Sequence, residues 1–134
     1  MRYLIVLLLL TFFASVKSQS VVNFDTLLKP PLKIGDNYTK KLFADSLASS
    51  FYIVVRNEVK AHKHLYHSEH VLVINGKGQM SLGDKLIKIK KGDLIFIPKN
   101  TIHSVKTTSK QPLEVVSIQA PFFDGKDRIS IEEK

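Results

Sequence analysis

The chain has 134 residues and contains neither cysteine nor tryptophan. Without cysteine there can be no disulfides, so packing alone must hold the fold, even outside the cytoplasm. The same absence excludes thiolate ligands and therefore disfavours sites for soft metals. The length suits one domain with its own hydrophobic core and is too short for two.

Several catalytic signatures are also missing. The sequence has no Gly-x-Ser-x-Gly elbow and no glycine-rich phosphate loop, so serine hydrolysis and nucleotide chemistry find no support. Glu69 has no second carboxylate beside it, which argues against a two-carboxylate glycosidase. No stretch shows the 3.6-residue periodicity of a long amphipathic helix.

The N-terminus, MRYLIVLLLLTFFASVKSQS, has the order of a secretory signal peptide: one arginine, an apolar run, then small and polar residues. The apolar run is shorter than the roughly 20 residues that span a bilayer. We expect cleavage after Ser18, or after Ser20 as a second choice, with an uncleaved anchor as the alternative. The expected mature chain, 19–134, is one exported domain, periplasmic or extracellular, with its core at about 40–120 and no stable membrane insertion.

The formal net charge is +8 at pH 7. The lysines are scattered along apparent strands and are not gathered with stacking aromatics, which predicts a solvated surface and no nucleic-acid partner. A homodimer remains open at this point. Asn37 begins a glycosylation sequon, which matters only in a eukaryotic secretory pathway.

From residue 51 onward the sequence reads as short strands separated by turn residues. Valine, isoleucine and threonine are abundant, and the turn signals include Asn75-Gly76, Gly83-Asp84 and Gly92-Asp93. With a further strand in YTKKLFADS, the count is eight or nine. Such regular short strands predict an all-β sandwich or barrel.

Two strands carry more detailed expectations. DLIFIP is apolar on both faces, so we expect it to be fully covered, with Pro98 ending it. KLIKIK alternates, which places Ile87 and Ile89 inside and Lys88 and Lys90 in water.

Four of the five histidines fall within AHKHLYHSEH, residues 61–70. Residues two apart on a strand share a face, so His62 and His64 present their rings to the same side. Glu69 lies at an odd offset from His64 and can join them only if a turn or bulge interrupts residues 65–68. His67 and His70 lie off this parity, and we interpret them as surface groups or as groups that support the ligands from outside.

HKHLYHSEHVLVING resembles the first motif of the cupin superfamily, and GDLIFIPKNTIH resembles the second. The two occur in the cupin order and span residues 62–103. The chain departs from the usual pattern at three places: Arg56 and Asn100 stand where glycine is usual, and Thr107 stands for an asparagine. Asparagine tolerates left-handed backbone better than most residues, so we expect the turn at Asn100 to survive.

This resemblance implies a cupin jelly-roll barrel, also called a double-stranded β-helix, whose mouth holds one divalent metal ion. The implied ligands are His62, His64, Glu69 and His103. Three imidazoles and one carboxylate leave two positions of an octahedron open. Iron, manganese, nickel, zinc and copper are not distinguished.

The fold does not select a chemistry. The primary hypothesis is a metal-binding domain that binds or acts on a small oxygen-rich molecule at the barrel mouth. The alternatives are a metal-dependent dioxygenase or isomerase, and a non-catalytic module for sugars or other small ligands. Tyr52, Arg56, Phe96 and Gln119 are candidates to line the barrel, but the sequence does not fix which way they face.

Overall fold

The computed structural model describes residues 20–27 and 37–132. The predicted leader at 1–18 and the Pro30-Pro31 segment lie outside these residues. The described part contains ten strands and no α-helix, and therefore no helix that could cross a membrane. The strands are β1 (Tyr38–Ala44), β2 (Ser49–Val55), β3 (Glu58–Lys63), β4 (Ser68–Asn75), β5 (Lys77–Leu82), β6 (Lys85–Lys90), β7 (Leu94–Ile97), β8 (His103–Thr107), β9 (Leu113–Ala120) and β10 (Ile129–Ser130).

The strands form two five-stranded sheets in which all neighbours are antiparallel. The first sheet has the order β1-β2-β9-β4-β7, and the second has the order β10-β3-β8-β5-β6. The predicted all-β fold is confirmed. β10 was not predicted, because two residues are too few to show alternation.

The hydrophobic core lies between the two sheets. Its buried members come from both of them: Val55, Val71, Val73, Ile95, Ile97, Leu113 and Val115 from the first sheet, and Met80 and Ile89 from the second. The alternation predicted for β6 is confirmed, since Ile89 is buried, Ile87 packs against the core, and Lys88 and Lys90 are exposed.

The expectation for DLIFIP is wrong in one respect. β7 ends before Pro98 as predicted, and Ile95 and Ile97 point into the core. Leu94 and Phe96, however, are 66% and 53% exposed. β7 is an edge strand that pairs only with β4, and the outer face of its sheet has no covering layer there among the described residues. An apolar run shows that a strand tolerates burial on both faces, but tertiary structure decides whether both faces are covered.

Two turns require special backbone. Asn100 has φ of 60° and lies in the left-handed region, as expected for the turn that precedes β8. Gly76 joins β4 to β5 with φ of 79°, and a Cβ at this position would lie 2.4 Å from the Pro112 carbonyl oxygen. Here glycine is needed both for its backbone freedom and for the space it leaves.

Candidate metal centre

Three histidines meet on the inner face of the second sheet. His62 is directly opposite His103 in the β3–β8 pairing, and His64 follows two residues later, just beyond the end of β3. The three residues are 6%, 4% and 4% exposed. One nitrogen from each ring lies within 4.8 Å of the other two, so the group could hold a metal ion.

Glu69 approaches the same point from the first sheet. The chain bends at Leu65 and Tyr66 before β4 begins, and this is the predicted interruption between His64 and Glu69. Glu69 Oε2 lies 3.9 Å from His64 Nε2 and 3.5 Å from His103 Nε2. All four residues predicted as ligands therefore come together, and the carboxylate supplies negative charge opposite the imidazoles.

Backbone carbonyls orient the three rings. The Nδ1 atoms of His62, His64 and His103 lie 2.8, 2.6 and 2.9 Å from the carbonyl oxygens of Lys60, Asp127 and Thr101. A carbonyl oxygen only accepts, so each ring must carry its proton on Nδ1 to make this bond. The Nε2 lone pairs are then free to bind a cation, which is the arrangement usual for histidines that bind metals.

One atom at the centre lacks a partner. Among the described residues, His103 Nε2 is buried without a hydrogen bond, because it carries a lone pair and Glu69 Oε2, 3.5 Å away, is also an acceptor when ionised. Buried polar atoms without partners are uncommon and call for an explanation. A divalent cation at this point would supply one, and nitrogen and oxygen donors of this kind suit such an ion. The residues present therefore fit a metal.

The electrostatics keep the candidate ligands in their metal-binding forms. Burial and, to a smaller extent, the proximity of His103 lower the pKa of His62 to about 4. Burial likewise lowers the pKa of His64, although the Asp127 carbonyl partly opposes this effect. Burial alone would raise the pKa of Glu69, but the attraction of His103 and a hydrogen bond from Ser117 outweigh it, and the pKa is lowered. At neutral pH, His62 and His64 are therefore neutral and Glu69 is ionised.

Ser117 is a functional candidate that the sequence analysis did not find. Its hydroxyl is fully buried and donates to Glu69 Oε1 at 2.5 Å, which leaves Oε2 to face the histidines. The sequence does contain a pattern that indicates it: Ser117 and Gln119 continue the inward-facing alternation of Leu113 and Val115 on β9. Polar residues at inward positions near one end of a strand indicate a site.

The two other histidines of the cluster differ from each other. His70 is exposed on the outer face of β4, where its ring lies 4.9 Å from that of Phe96. His67 is buried: its Nδ1 lies 2.6 Å from Asp127 Oδ2, and its Nε2 lies 3.0 Å from the Phe122 carbonyl oxygen. Both ring nitrogens thus face acceptors on the segment that follows β9. His67 is a supporting group, and Asp127, its partner, was not predicted.

The centre opens into a cavity of about 1290 Å³ between the sheets. Of the four candidates for its lining, Gln119 is buried and lines it. Phe96 points outward, and Tyr52 lies on the other face of the first sheet, where its hydroxyl donates to Glu114. Arg56 follows the end of β2 and does not line the cavity. Charged side chains of both signs line it, namely Lys60, Lys106 and Arg128, and Glu58, Glu69 and Glu132.

Comparison with solved structures defines the class of protein. An uncharacterised Klebsiella pneumoniae protein with a double-stranded β-helix domain matches with a TM-score of 0.72 at 18% identity, over 87% of this chain and all of that one. The cupin domain of Schizosaccharomyces pombe Cnp3 matches with a TM-score of 0.62 at 14% identity, over 69% of this chain and 66% of that one. These identities show the fold alone, and that fold is the cupin double-stranded β-helix.

Sequence comparison is more specific. The family model for the mannose-6-phosphate isomerase C-terminal domain matches residues 48–133. An uncharacterised Aquifex aeolicus protein is 33% identical over 84 residues, which make up 63% of this chain and 69% of that protein. A mannose-1-phosphate guanylyltransferase of Salmonella muenchen is 31% identical over 100 residues, 75% of this chain but only 20% of the enzyme. The chain belongs to the mannose-6-phosphate isomerase C-terminal family, within the cupin superfamily.

Proposed function

We propose that this protein binds one divalent metal ion through His62, His64, His103 and Glu69, and uses the adjoining cavity to bind a small oxygen-rich molecule. The observation that carries the proposal is the set of three buried imidazoles whose Nδ1 atoms are all held by backbone carbonyls. This arrangement directs Nε2 lone pairs toward one point beside an ionised carboxylate. Interior packing alone does not require it.

The cavity suggests what kind of molecule is bound. Lys60, Lys106 and Arg128 line the same cavity as Glu69 and the histidines, together with the carboxylates of Glu58 and Glu132. A ligand with an anionic group for the cations and hydroxyl or carbonyl oxygens for the metal would complement both regions. The names of the family and of the guanylyltransferase relative make phosphorylated hexoses the first compounds to test.

Whether the protein turns its ligand over is a separate question. A bound divalent ion supplies a Lewis acid that can polarise a coordinated oxygen, as a dioxygenase or an isomerase would require. The chain's own residues would supply ligand orientation, through the lysine and arginine side chains of the cavity, and a space partly shielded from water. The same features would serve a non-catalytic binding module.

Metal analysis of purified variants tests the ligand set. His62→Ala, His64→Ala and His103→Ala should each lose stoichiometric metal, because each removes one of the converging nitrogens. His70→Ala is the matched control and should keep its metal, because that ring is exposed on the outer face. Full metal content in His103→Ala would refute the proposed ligand set.

Incubation of the metal-loaded protein with a metabolite extract and with phosphorylated hexoses then separates the two activities. Depletion of a compound would establish an enzyme. A compound that is retained and recovered unchanged would establish a binding module. The same incubation with His103→Ala protein is the control, since neither result should survive loss of the metal site.

A further inference from the structure

The segment that follows β9 forms a wall of the candidate metal centre. It leaves the first sheet at the end of β9, runs past the three histidines, and joins the second sheet as β10, where Ser130 pairs with His62. The Phe123 ring packs edge-on against His64, with ring centroids 5.3 Å apart. The Phe123 backbone nitrogen donates to Ser49 Oγ at 3.1 Å, which fixes the segment to β2.

Asp127 is the point at which this segment contacts the candidate ligands. Its backbone carbonyl accepts from His64 Nδ1 at 2.6 Å. Its carboxylate accepts from the backbone nitrogens of Leu65 and Tyr66 at 3.0 and 2.8 Å, and from His67 Nδ1 at 2.6 Å. One residue thus receives four hydrogen bonds from four consecutive residues, 64–67.

These four residues are the interruption that makes the candidate site possible. They separate His64, at the end of β3, from Glu69, near the start of β4, and they change the face to which the chain directs its side chains. Two backbone amides in a bend need acceptors, and the Asp127 carboxylate supplies them. The geometry of the bend, and with it the distance between His64 and Glu69, depends on that carboxylate.

Burial alone would raise the pKa of Asp127. The hydrogen bonds from His67 and from the Tyr66 and Leu65 amides outweigh that effect and lower the pKa to about 2. The carboxylate is therefore ionised at neutral pH and can accept all three bonds at once. An asparagine at this position could not, because one side of its amide group is a donor.

We propose that Asp127 is a positioning residue for the metal centre, which sets the tautomer of His64 through its carbonyl and the His64–Glu69 spacing through its carboxylate. His67 assists by holding the carboxylate in place. The expected effect on metal affinity rests on the proposed metal function. The expected effect on the tautomer of His64 does not, because it exists in the metal-free protein.

The test compares wild-type protein with Asp127→Ala, Asp127→Asn and Asp124→Asn. Asp124 is the matched control, because it lies on the same segment and, in the part of the chain that the structure describes, its carboxylate bonds only to Lys126. Long-range proton–nitrogen NMR of the metal-free proteins reports which nitrogen of His64 carries the proton. Titration with Co²⁺ gives the dissociation constant and a visible spectrum that reports the coordination geometry.

Wild type and Asp124→Asn should show a single His64 tautomer, protonated on Nδ1, and the same Co²⁺ affinity. Asp127→Ala keeps the backbone carbonyl but removes the carboxylate that ties it to residues 65–67, so the carbonyl should no longer be held against His64 Nδ1. This variant should show a mixture of tautomers, a changed Co²⁺ spectrum, and an affinity weaker by about 10–100-fold, the usual effect of removing a group that orients a metal ligand. Asp127→Asn should give a smaller loss in the same direction, and it replaces Asp127→Ala if that variant does not fold.

Tyr52→Phe separates positioning from general stability, because it removes a buried hydrogen bond outside the cavity. If it weakens Co²⁺ binding as much as Asp127→Ala does, Asp127 has only a structural role and the proposal is overturned. An unchanged tautomer and affinity in the folded Asp127 variants would also overturn it. If wild-type protein binds no Co²⁺ yet shows the single tautomer that Asp127→Ala loses, the proposed metal function fails while the positioning of His64 stands.

Discussion

Acid should destabilise the metal-free protein at a pH where its carboxylates still support folding. The pKa of His62 is lowered to about 4 in the folded state, against about 6.5 for an unperturbed histidine. Between these values the unfolded chain binds more protons than the folded one, so the free energy of unfolding falls as the pH falls. The lowered pKa of His64 acts in the same direction.

The magnitude follows from the size of the shift. One unit of pKa corresponds to about 1.4 kcal/mol, and the two pKa values of His62 give a loss of about 2 kcal/mol between about pH 7 and about pH 5. The ring is only 6% exposed, so solvent screening reduces this little. Titration of the buried carboxylates does not contribute to the loss of stability in this pH range. The lowered pKa values of Glu69 and Asp127 stabilise the fold above the ordinary carboxyl range, and that stability is lost only below it.

Urea unfolding across this pH range, with a chelator present, measures the effect. His62→Gln should have a shallower pH dependence than wild type by about the amount calculated for His62. His70→Gln is the control, since its ring lies on the exposed outer face, and it should follow wild type. If His62→Gln and wild type lose stability in parallel, burial does not keep His62 neutral, and the electrostatic description of the site is wrong.

Two further predictions concern the fold that holds the site, and urea unfolding measures both. Tyr52→Phe should lower the free energy of unfolding by about 1.5–3 kcal/mol, because the Tyr52 hydroxyl donates to the buried Glu114 carboxylate at 2.6 Å. Tyr66→Phe, at a ring that is 68% exposed, should leave it unchanged, and equal losses would show that the buried bond contributes nothing. Gly76→Ala should cost more than Gly92→Ala, because both positions have positive φ but only the first would place a Cβ against backbone. Gly92→Ala should cost about 1–2 kcal/mol from its backbone alone, and a similar loss at Gly76 would mean that Pro112 moves aside easily.

Three of the four candidate ligands, His62, His64 and Glu69, could be predicted from sequence because their spacing is local. The period of two along β3 places His62 and His64 together, and the odd offset of Glu69 demands the bend that the structure shows at Leu65 and Tyr66. His103 required the second cupin motif, because it lies 39 positions after His64 (103 − 64) and no local spacing connects the two. The pairing of β3 with β8 supplies that connection.

What supports those ligands could not be read from the sequence in the same way. Asp127 lies 60 residues after His67, in a stretch with the composition of an ordinary turn, and its role depends on how the segment after β9 returns to the site. The position of β7 at a sheet edge could not be predicted from the local sequence pattern either. Local pattern reports which residues share a face, whereas tertiary pairing decides what lies opposite that face.

The four candidate ligands come from both sheets, and this has a consequence for how the protein unfolds. His62 and His103 stand on the second sheet and His64 directly follows β3, whereas Glu69 stands on β4 of the first. An ion held by all four would join the two sheets much as a disulfide joins two parts of a secreted protein, in a chain that has no cysteine. Separating the sheets would then require releasing the ion, so loading should slow unfolding as well as raise the melting temperature. Chelation would undo this cross-link as reduction undoes a disulfide.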